Sequence, residues 1–308
     1  MIWLWTSIAS AVLIGVYDIL KKDAVRRNGV LEVLLVTTGI SSLFFLPLVV
    51  SSLAGWGLGE GTLLEMPRGS FYNHLMIFIK ALLVSGAWIS GILALKYLPL
   101  TTVGIFKASR PAFVTIGCVL LFAERPNPVQ WIGVAMAFLA LYLLSRTSRR
   151  KENISFTNNR WAWCMALSVL FGVVSALFDK GILQQLNEPI FLQAWCNIYI
   201  TLIMALSLLV WSIVRRSRGI APQKFHWDWA LLLIAVFITL SDFFYFFSLS
   251  REGSLLLVVS MLRRSSVVVS FLGGAIVFHE HNLRDKAFEM VLLLAGMAVI
   301  LFGSYLWN

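Results

Sequence analysis

The stretch GSLLLVVSMLRRSSVVVSFLGGAIVFHE, residues 253–280, decides how the rest of the chain is read. It is long and apolar enough to cross a bilayer, yet Arg263 and Arg264 stand side by side near its middle. At about 1.5 Å of rise per residue, Arg263 falls roughly 15 Å into a helix, close to the midplane of a hydrocarbon core about 30 Å thick. A charge there costs at least about 2.5–3.5 kcal/mol. Intramembrane arginines therefore face a polar cavity or a partner, and they mark functional pathways.

Outward from that stretch the chain keeps the same character. Of its 308 residues 59% are hydrophobic and only 13% charged, and the mean hydropathy is +0.84; soluble domains are about 45–50% apolar. The composition is that of a polytopic membrane protein, all-α in fold class because lipid offers an unpaired backbone no hydrogen bonds. The first apolar run begins at Ile2 without a basic leader or a small-residue cleavage site, so it reads as a retained span. Cys118, Cys164 and Cys196 are odd in number and sit inside apolar runs, which points away from a disulfide framework. The net charge of +10 is read as topological, with no nucleic-acid partner.

Ten apolar runs of spanning length follow one another, roughly at 2–20, 31–53, 74–95, 100–122, 129–145, 161–182, 190–214, 229–250, 254–278 and 287–306. The loops between them are too short for a soluble domain. Sixteen Lys and Arg residues fall after the odd-numbered runs and four after the even-numbered ones. That bias predicts cytoplasmic odd loops, with both termini outside a cell inner (plasma) membrane. Lys21, Lys22 and Lys286 are among the sixteen. Five basic residues remain inside the runs: Lys80, Lys107, Arg110, Arg263 and Arg264.

An internal repeat is also visible. LKYLPLTTVGIFKASRPAFVTIGCVLLFAE (95–124) parallels LSREGSLLLVVSMLRRSSVVVSFLGGAIVFHE (249–280), with a Phe-x-Glu closing each (Phe122–Glu124, Phe278–Glu280) and Arg110 opposite Arg264 if two residues are inserted. Gly15–Val16 likewise matches Gly172–Val173. Two halves of five spans are implied, 1–147 and 160–308. An odd number of spans per half makes the repeat inverted. Spans 4 and 9 then run antiparallel, and their central charges meet at the midplane.

Lys107 and Arg110 are three residues apart and share a helix face. Pro111 removes a backbone hydrogen bond beside them, so span 4 is expected to break or kink there. With Arg263 and Arg264 this places up to four cations on one cavity. The bland reading is that buried acids, Asp18, Asp179, Asp242 or Glu289, neutralise them; only Asp242 lies clearly at mid-depth, which favours an anionic ligand completing the balance. Arg donates bidentately to phosphate or carboxylate, and Lys adds a point charge. Lys80 is a further candidate whose direction, inward or snorkelling, stays open. Tyr17, Trp88 and Tyr245, the last within the run Phe243–Phe247, are candidate contacts for a sugar or base, with packing as the ordinary alternative for each ring. Asp18 and Asp242 are candidates for proton coupling.

Other chemistry is thinly represented. His279–Glu280–His281 reads as an interfacial turn, since two histidines two apart do not share a helix face. No metal site, nucleotide loop, catalytic triad or cofactor motif stands out. Gly133-x-x-x-Ala137 and Gly273–Gly274 allow close helix approach, compatible with a monomer or a homodimer.

Ten spans, a five-plus-five inverted repeat and a glutamate closing spans 4 and 9 resemble the drug/metabolite transporter superfamily, and its EamA-type members in particular. Lys107-Ala-Ser-Arg-Pro111 is similar to the Lys-Ala-x-x-Pro segment of the triose-phosphate/phosphate translocators, and Arg263–Arg264 to the Lys-Arg pair in their ninth span. That resemblance implies phosphate-binding roles for Lys107, Arg263 and Arg264. Two departures stand out: Arg110 occupies a position where those translocators typically carry an acid, and their eukaryotic members are usually drawn with cytosolic termini.

The sequence therefore reads as a secondary transporter and not an enzyme. Its expected partners are membrane lipid and a small organic anion, phosphate-bearing in the leading reading and moved by alternating access, with exchange as the expected mechanism. An exporter of amino acids or other small metabolites is the main rival, and a flippase for a phosphate-bearing lipid carrier is a variant.

Overall fold

A computed structural model describes residues 2–58, 62, 64–122, 127–151, 158–186, 188–219, 225–251, 259, 262–280 and 283–306. Among the described residues the regular structure is entirely helical. The helices are α1 (Ile2–Arg27), α2 (Val30–Ala54), α3 (Phe71–Tyr97), α4 (Leu100–Ala108), α5 (Arg110–Phe122), α6 (Pro128–Lys151), α7 (Arg160–Leu186), α8 (Pro189–Ser217), α9 (Trp229–Leu249), α10 (Val267–Ile276) and α11 (Leu283–Leu306). Seven of them, α1, α2, α3, α6, α7, α8 and α9, contain stretches long and apolar enough to cross a membrane. The chain is a multi-pass membrane protein.

The ends of these helices have local causes. Ser70 Oγ accepts from the Asn73 amide to start α3, and Asp228 Oδ1 accepts from the Ala230 amide to start α9. Pro189 opens α8, where its missing N–H would have no partner anyway. Gly55, at φ 73°, ends α2 in the left-handed conformation.

Span 4 breaks where Pro111 led the sequence reading to expect it, giving two helices. α4 ends at Ala108 and α5 begins at Arg110, with Ser109 between them. Pro111 in the first turn of α5 has no N–H to return to Lys107, and the Ala112 amide instead bonds Ser109 O at 3.1 Å. Span 9 is interrupted at the same relative place: residues 262–264 are helical, Ser265–Ser266 form a turn, and α10 starts at Val267.

Packing arranges the helices in pairs. α1 lies against α9, α3 against α7, α2 against α8, α4 against α10, and α6 against α11. A large apolar core joins α1, α2, α3, α8 and α9 through Val25, Leu34, Ile77, Phe191, Leu192, Leu231 and Ile234, all fully buried. A second core locks α6 to α11 through Ala140, Leu144, Leu293 and Ile300. The helix contact at Gly133 is internal: a Cβ there would lie 2.6 Å from Gly296 O, so this glycine seats α6 on α11 within the chain. Broad apolar surfaces remain on the outside, including Leu43, Phe44, Leu202, Leu206 and Leu209, as a lipid-facing surface requires.

The charge count changes in detail. α1 runs on to Arg27, past the expected end at residue 20, and carries Lys21 and Lys22 with it. Both are buried, as is Lys286 in α11. Taking these three from the sixteen leaves thirteen basic residues against four. The charge asymmetry therefore survives.

Candidate functional site

The two helix breaks face a common cavity of about 170 Å³ at the centre of the bundle. Its wall is built from α1, α3, α4, α5, α7, α8, α9, α10 and the short turn before α10. Every candidate site residue read from the sequence lines it: Tyr17 and Asp18 on α1, Lys80 and Trp88 on α3, Lys107 on α4 and Arg110 on α5. Asp242 and Tyr245 on α9 complete the set with Arg263 and Arg264. Lys80, 3% exposed, points inward and does not snorkel.

Three further charged or strongly polar features were not expected there. Lys21 lines the cavity, although the sequence placed it in a loop. Its signal was present: it stands three residues after Asp18 and so on the same helix face. Asp179, which the sequence offered only as a possible counter-charge at the end of a span, lines the cavity as well. The third is a neutral polar pair on α8, Gln193 and Asn197.

Carboxylates reach more of the cations than the sequence suggested. Lys107 Nζ donates to Asp18 Oδ1 at 2.7 Å, and Lys21 Nζ lies 3.2 Å from the same oxygen. Lys80 is paired with Asp179, and Arg263 with Asp242. Aromatic faces add to this, with Lys21 Nζ 3.9 Å above the Tyr17 ring and the Arg263 guanidinium 4.3 Å from that of Tyr245. Asp18 and Asp179 thus correct the expectation that Asp242 is the only acid at this depth. Four of the six cations have a carboxylate within ion-pair distance.

The remaining two do not. Arg110 makes a single hydrogen bond, from an Nη to the Ser168 carbonyl at 3.3 Å, and its Nε is buried without a partner. Arg264 Nε is likewise buried and unpartnered, and among the described residues no carboxylate lies within ion-pair distance of its guanidinium. Six cations against Asp18, Asp179 and Asp242 leave a formal surplus of three positive charges on the cavity wall. The guanidinium of Arg110 rests directly on the backbone of α7, because a Cβ at Gly172 would lie only 2.3 Å from Arg110 Cζ.

A separate ionic cluster gathers at the start of α4. The carboxylate of Glu280, just beyond α10, accepts from the Leu100 and Thr101 amides and from Thr101 Oγ1, satisfying free donors at the start of α4. Lys22 Nζ lies 3.8 Å from it and donates to Leu98 O, while buried Lys286 donates to Thr101 Oγ1 at 3.0 Å. Glu280 therefore has structural partners at the start of α4. His281 and the corresponding Glu124 lie outside the described residues. Of the aromatic run on α9, Tyr245 and Phe246 face the cavity, whereas Phe243 packs on Phe244 and Phe247.

Comparison with known proteins places this arrangement. Residues 1–146 match the EamA-like transporter family. That family is one of small-molecule membrane transporters within the drug/metabolite transporter superfamily. The EamA-like half supplies Tyr17, Asp18, Lys21, Lys80, Trp88, Lys107 and Arg110 to the cavity, and the rest of the chain supplies the other wall. A solved structure titled "Crystal structure of protein" is similar over 97% of this chain and 99% of its own, with a TM-score of 0.58 and 18% identity. At that identity the likeness concerns the fold alone. No curated protein matches the chain.

Proposed function

We propose that the protein is a secondary transporter of a small organic anion, phosphate-bearing in the reading favoured here, which works by alternating access around the central cavity. The observation that carries this is the pair Arg110 and Arg264, two guanidinium groups on the cavity wall, each with a buried, unpartnered Nε and, among the described residues, no carboxylate within ion-pair distance. A buried cation without a counter-charge is costly, so a ligand supplying two or more negative charges gains what the empty cavity lacks. The same cost disfavours moving the empty cavity across the membrane. Exchange of one anion for another follows from it.

Helix pairing supports reading the chain as two inverted five-span repeats, 1–147 and 160–308. Exchanging the halves turns the α1–α9 contact into α7–α3 and the α2–α9 contact into α8–α3, and each of these pairs is packed together. The pairs α2–α8 and α6–α11 map onto themselves, and the α4–α10 contact joins span 4 to span 9, a pairing that also maps onto itself at the level of spans. Ten spans result when α4 with α5 counts as one and the segment through Arg263 and α10 as another. The thirteen-to-four charge bias supports reading the odd loops as cytoplasmic and both termini as outside a plasma membrane.

A second reading has its own observation. Asp18, Asp179 and Asp242 would suit the ammonium of an amino acid or other zwitterion, as an exporter of small metabolites requires. Each of the three is already engaged by a cation, which is why the anion reading leads.

The deciding experiment is thermal stabilisation of detergent-purified protein by phosphorylated metabolites, amino acids and prenyl phosphates, repeated with Arg264→Ala. A ligand at 100 times its Kd stabilises the folded state by about 2.7 kcal/mol. Phosphorylated compounds should shift the wild type and fail to shift the variant. A shift by zwitterions alone, or an unchanged response in the variant, would transfer the function to the exporter reading.

A further inference from the structure

One wall of the cavity is polar without being charged. Gln193, Cys196, Asn197 and Ile200 of α8 all line it, at the i, i+3, i+4, i+7 spacing of a single helix face. Gln193 is 2% exposed; its Nε2 donates to Thr239 O at 2.9 Å, which fixes the amide and leaves Oε1 buried with no partner. Asn197, one turn further on and 7% exposed, makes no side-chain hydrogen bond among the described residues. Amides in membrane spans ordinarily join neighbouring helices by hydrogen bonds. Only Gln193 does this, and with half its capacity.

We infer that this face of α8 is a hydroxyl-binding subsite, so that the transported anion is a small hydroxylated organic phosphate or carboxylate. The inference rests on the anion reading above. A carboxamide both accepts from and donates to a hydroxyl group, and a buried polar atom left unpaired is costly to the protein until a ligand supplies its partner. Charged subsites elsewhere in the cavity hold the oxyanion, whereas uncharged amides on α8 add selectivity for what is attached to it. Size points the same way. A cavity of about 150 Å³ holds a molecule such as benzene, so 170 Å³ suits a small anion of a few carbons.

The test compares three probes of shared charge chemistry, glycerol 3-phosphate, propyl phosphate and inorganic phosphate, by titration of the full-length purified protein, wild type and Asn197→Leu and Gln193→Leu. Wild type is expected to bind glycerol 3-phosphate at least about tenfold more tightly than propyl phosphate, the discrimination of one well-placed hydrogen bond. Both variants should bring the affinity for glycerol 3-phosphate down toward that for propyl phosphate. The wild-type comparison stands even if a variant does not fold. Equal binding of both esters by the wild type overturns the hydroxyl subsite and leaves the anion reading intact, whereas no binding of any phosphate removes the anion reading with it. Stronger competition by phosphatidylglycerol micelles than by glycerol 3-phosphate would assign the subsite to a lipid headgroup and overturn the free-metabolite form.

Discussion

Arg110 reaches the cavity across α7 only because residue 172 has no side chain. A methyl group there would sit 2.3 Å from Cζ and 2.6 Å from both Nη atoms, closer than any real contact. What must move is the far end of a flexible side chain rather than backbone, so the fold should tolerate the change. Gly172→Ala is therefore expected to displace the guanidinium and weaken anion binding by about tenfold or more, while shifting Tm by no more than a few degrees. Ligand titration beside a thermal melt separates the two effects; a variant that binds like wild type would show that Arg110 does not hold the anion. Lys107, Arg110, Arg263 and Arg264 were legible in the sequence because charge inside an apolar run is conspicuous. Lys21 was not, since the apolar run stops at residue 20 while the helix continues. Gln193 and Asn197 escaped notice for a different reason. A neutral amide in a spanning helix looks like packing until its hydrogen bonds are traced.

Breaks in two helices set the height at which those charges meet. In a continuous helix each backbone donor is returned to the carbonyl four residues earlier, and Pro111 cannot return one to Lys107. Replacing it with Ala restores the donor and lets α4 and α5 close into one rod. Pro111→Ala is expected to raise Tm by a few degrees and lower the initial rate of transport several-fold, because alternating access requires the two pieces of the span to move separately. Flux into proteoliposomes, measured beside the melt, checks it; unchanged flux would show that the hinge is not at this break. The proline announced the first break in the sequence. Nothing comparable announced the second, where Ser265 and Ser266 form the turn without proline or glycine, so the sequence read span 9 as one helix. Only the packing of α4 against α10 makes the pair recognisable.

For the molecule as a whole, the Glu280 cluster is the candidate latch of the proposed transporter. It ties together four pieces of the bundle that are distant in sequence: the end of α1 through Lys22, the start of α4 through Leu100 and Thr101, the segment after α10, and α11 through Lys286. The Phe-x-Glu motif was visible in the sequence as a repeat marker, but its role depends on an N-terminus 180 residues away in the chain. Conformers that exchange in transport differ by only a few kcal/mol, and breaking a buried charge pair costs about 3–5 kcal/mol. In the proposed alternating-access transporter, losing the carboxylate is therefore expected to shift the resting population. Glu280→Gln preserves the shape, removes the charge, and is expected to open this end of the cavity. Cys196, buried and on the cavity wall, is the built-in reporter. With Cys118 and Cys164 replaced by Ala, a membrane-impermeant maleimide should alkylate Cys196 several-fold faster in Glu280→Gln than in the same background with Glu280. The increase should come from the cytoplasmic face, the side proposed above for the loop carrying Glu280. Faster labelling from the opposite face would reverse the assigned orientation, and unchanged labelling from both would mean that the cluster holds α4 in place without gating the cavity.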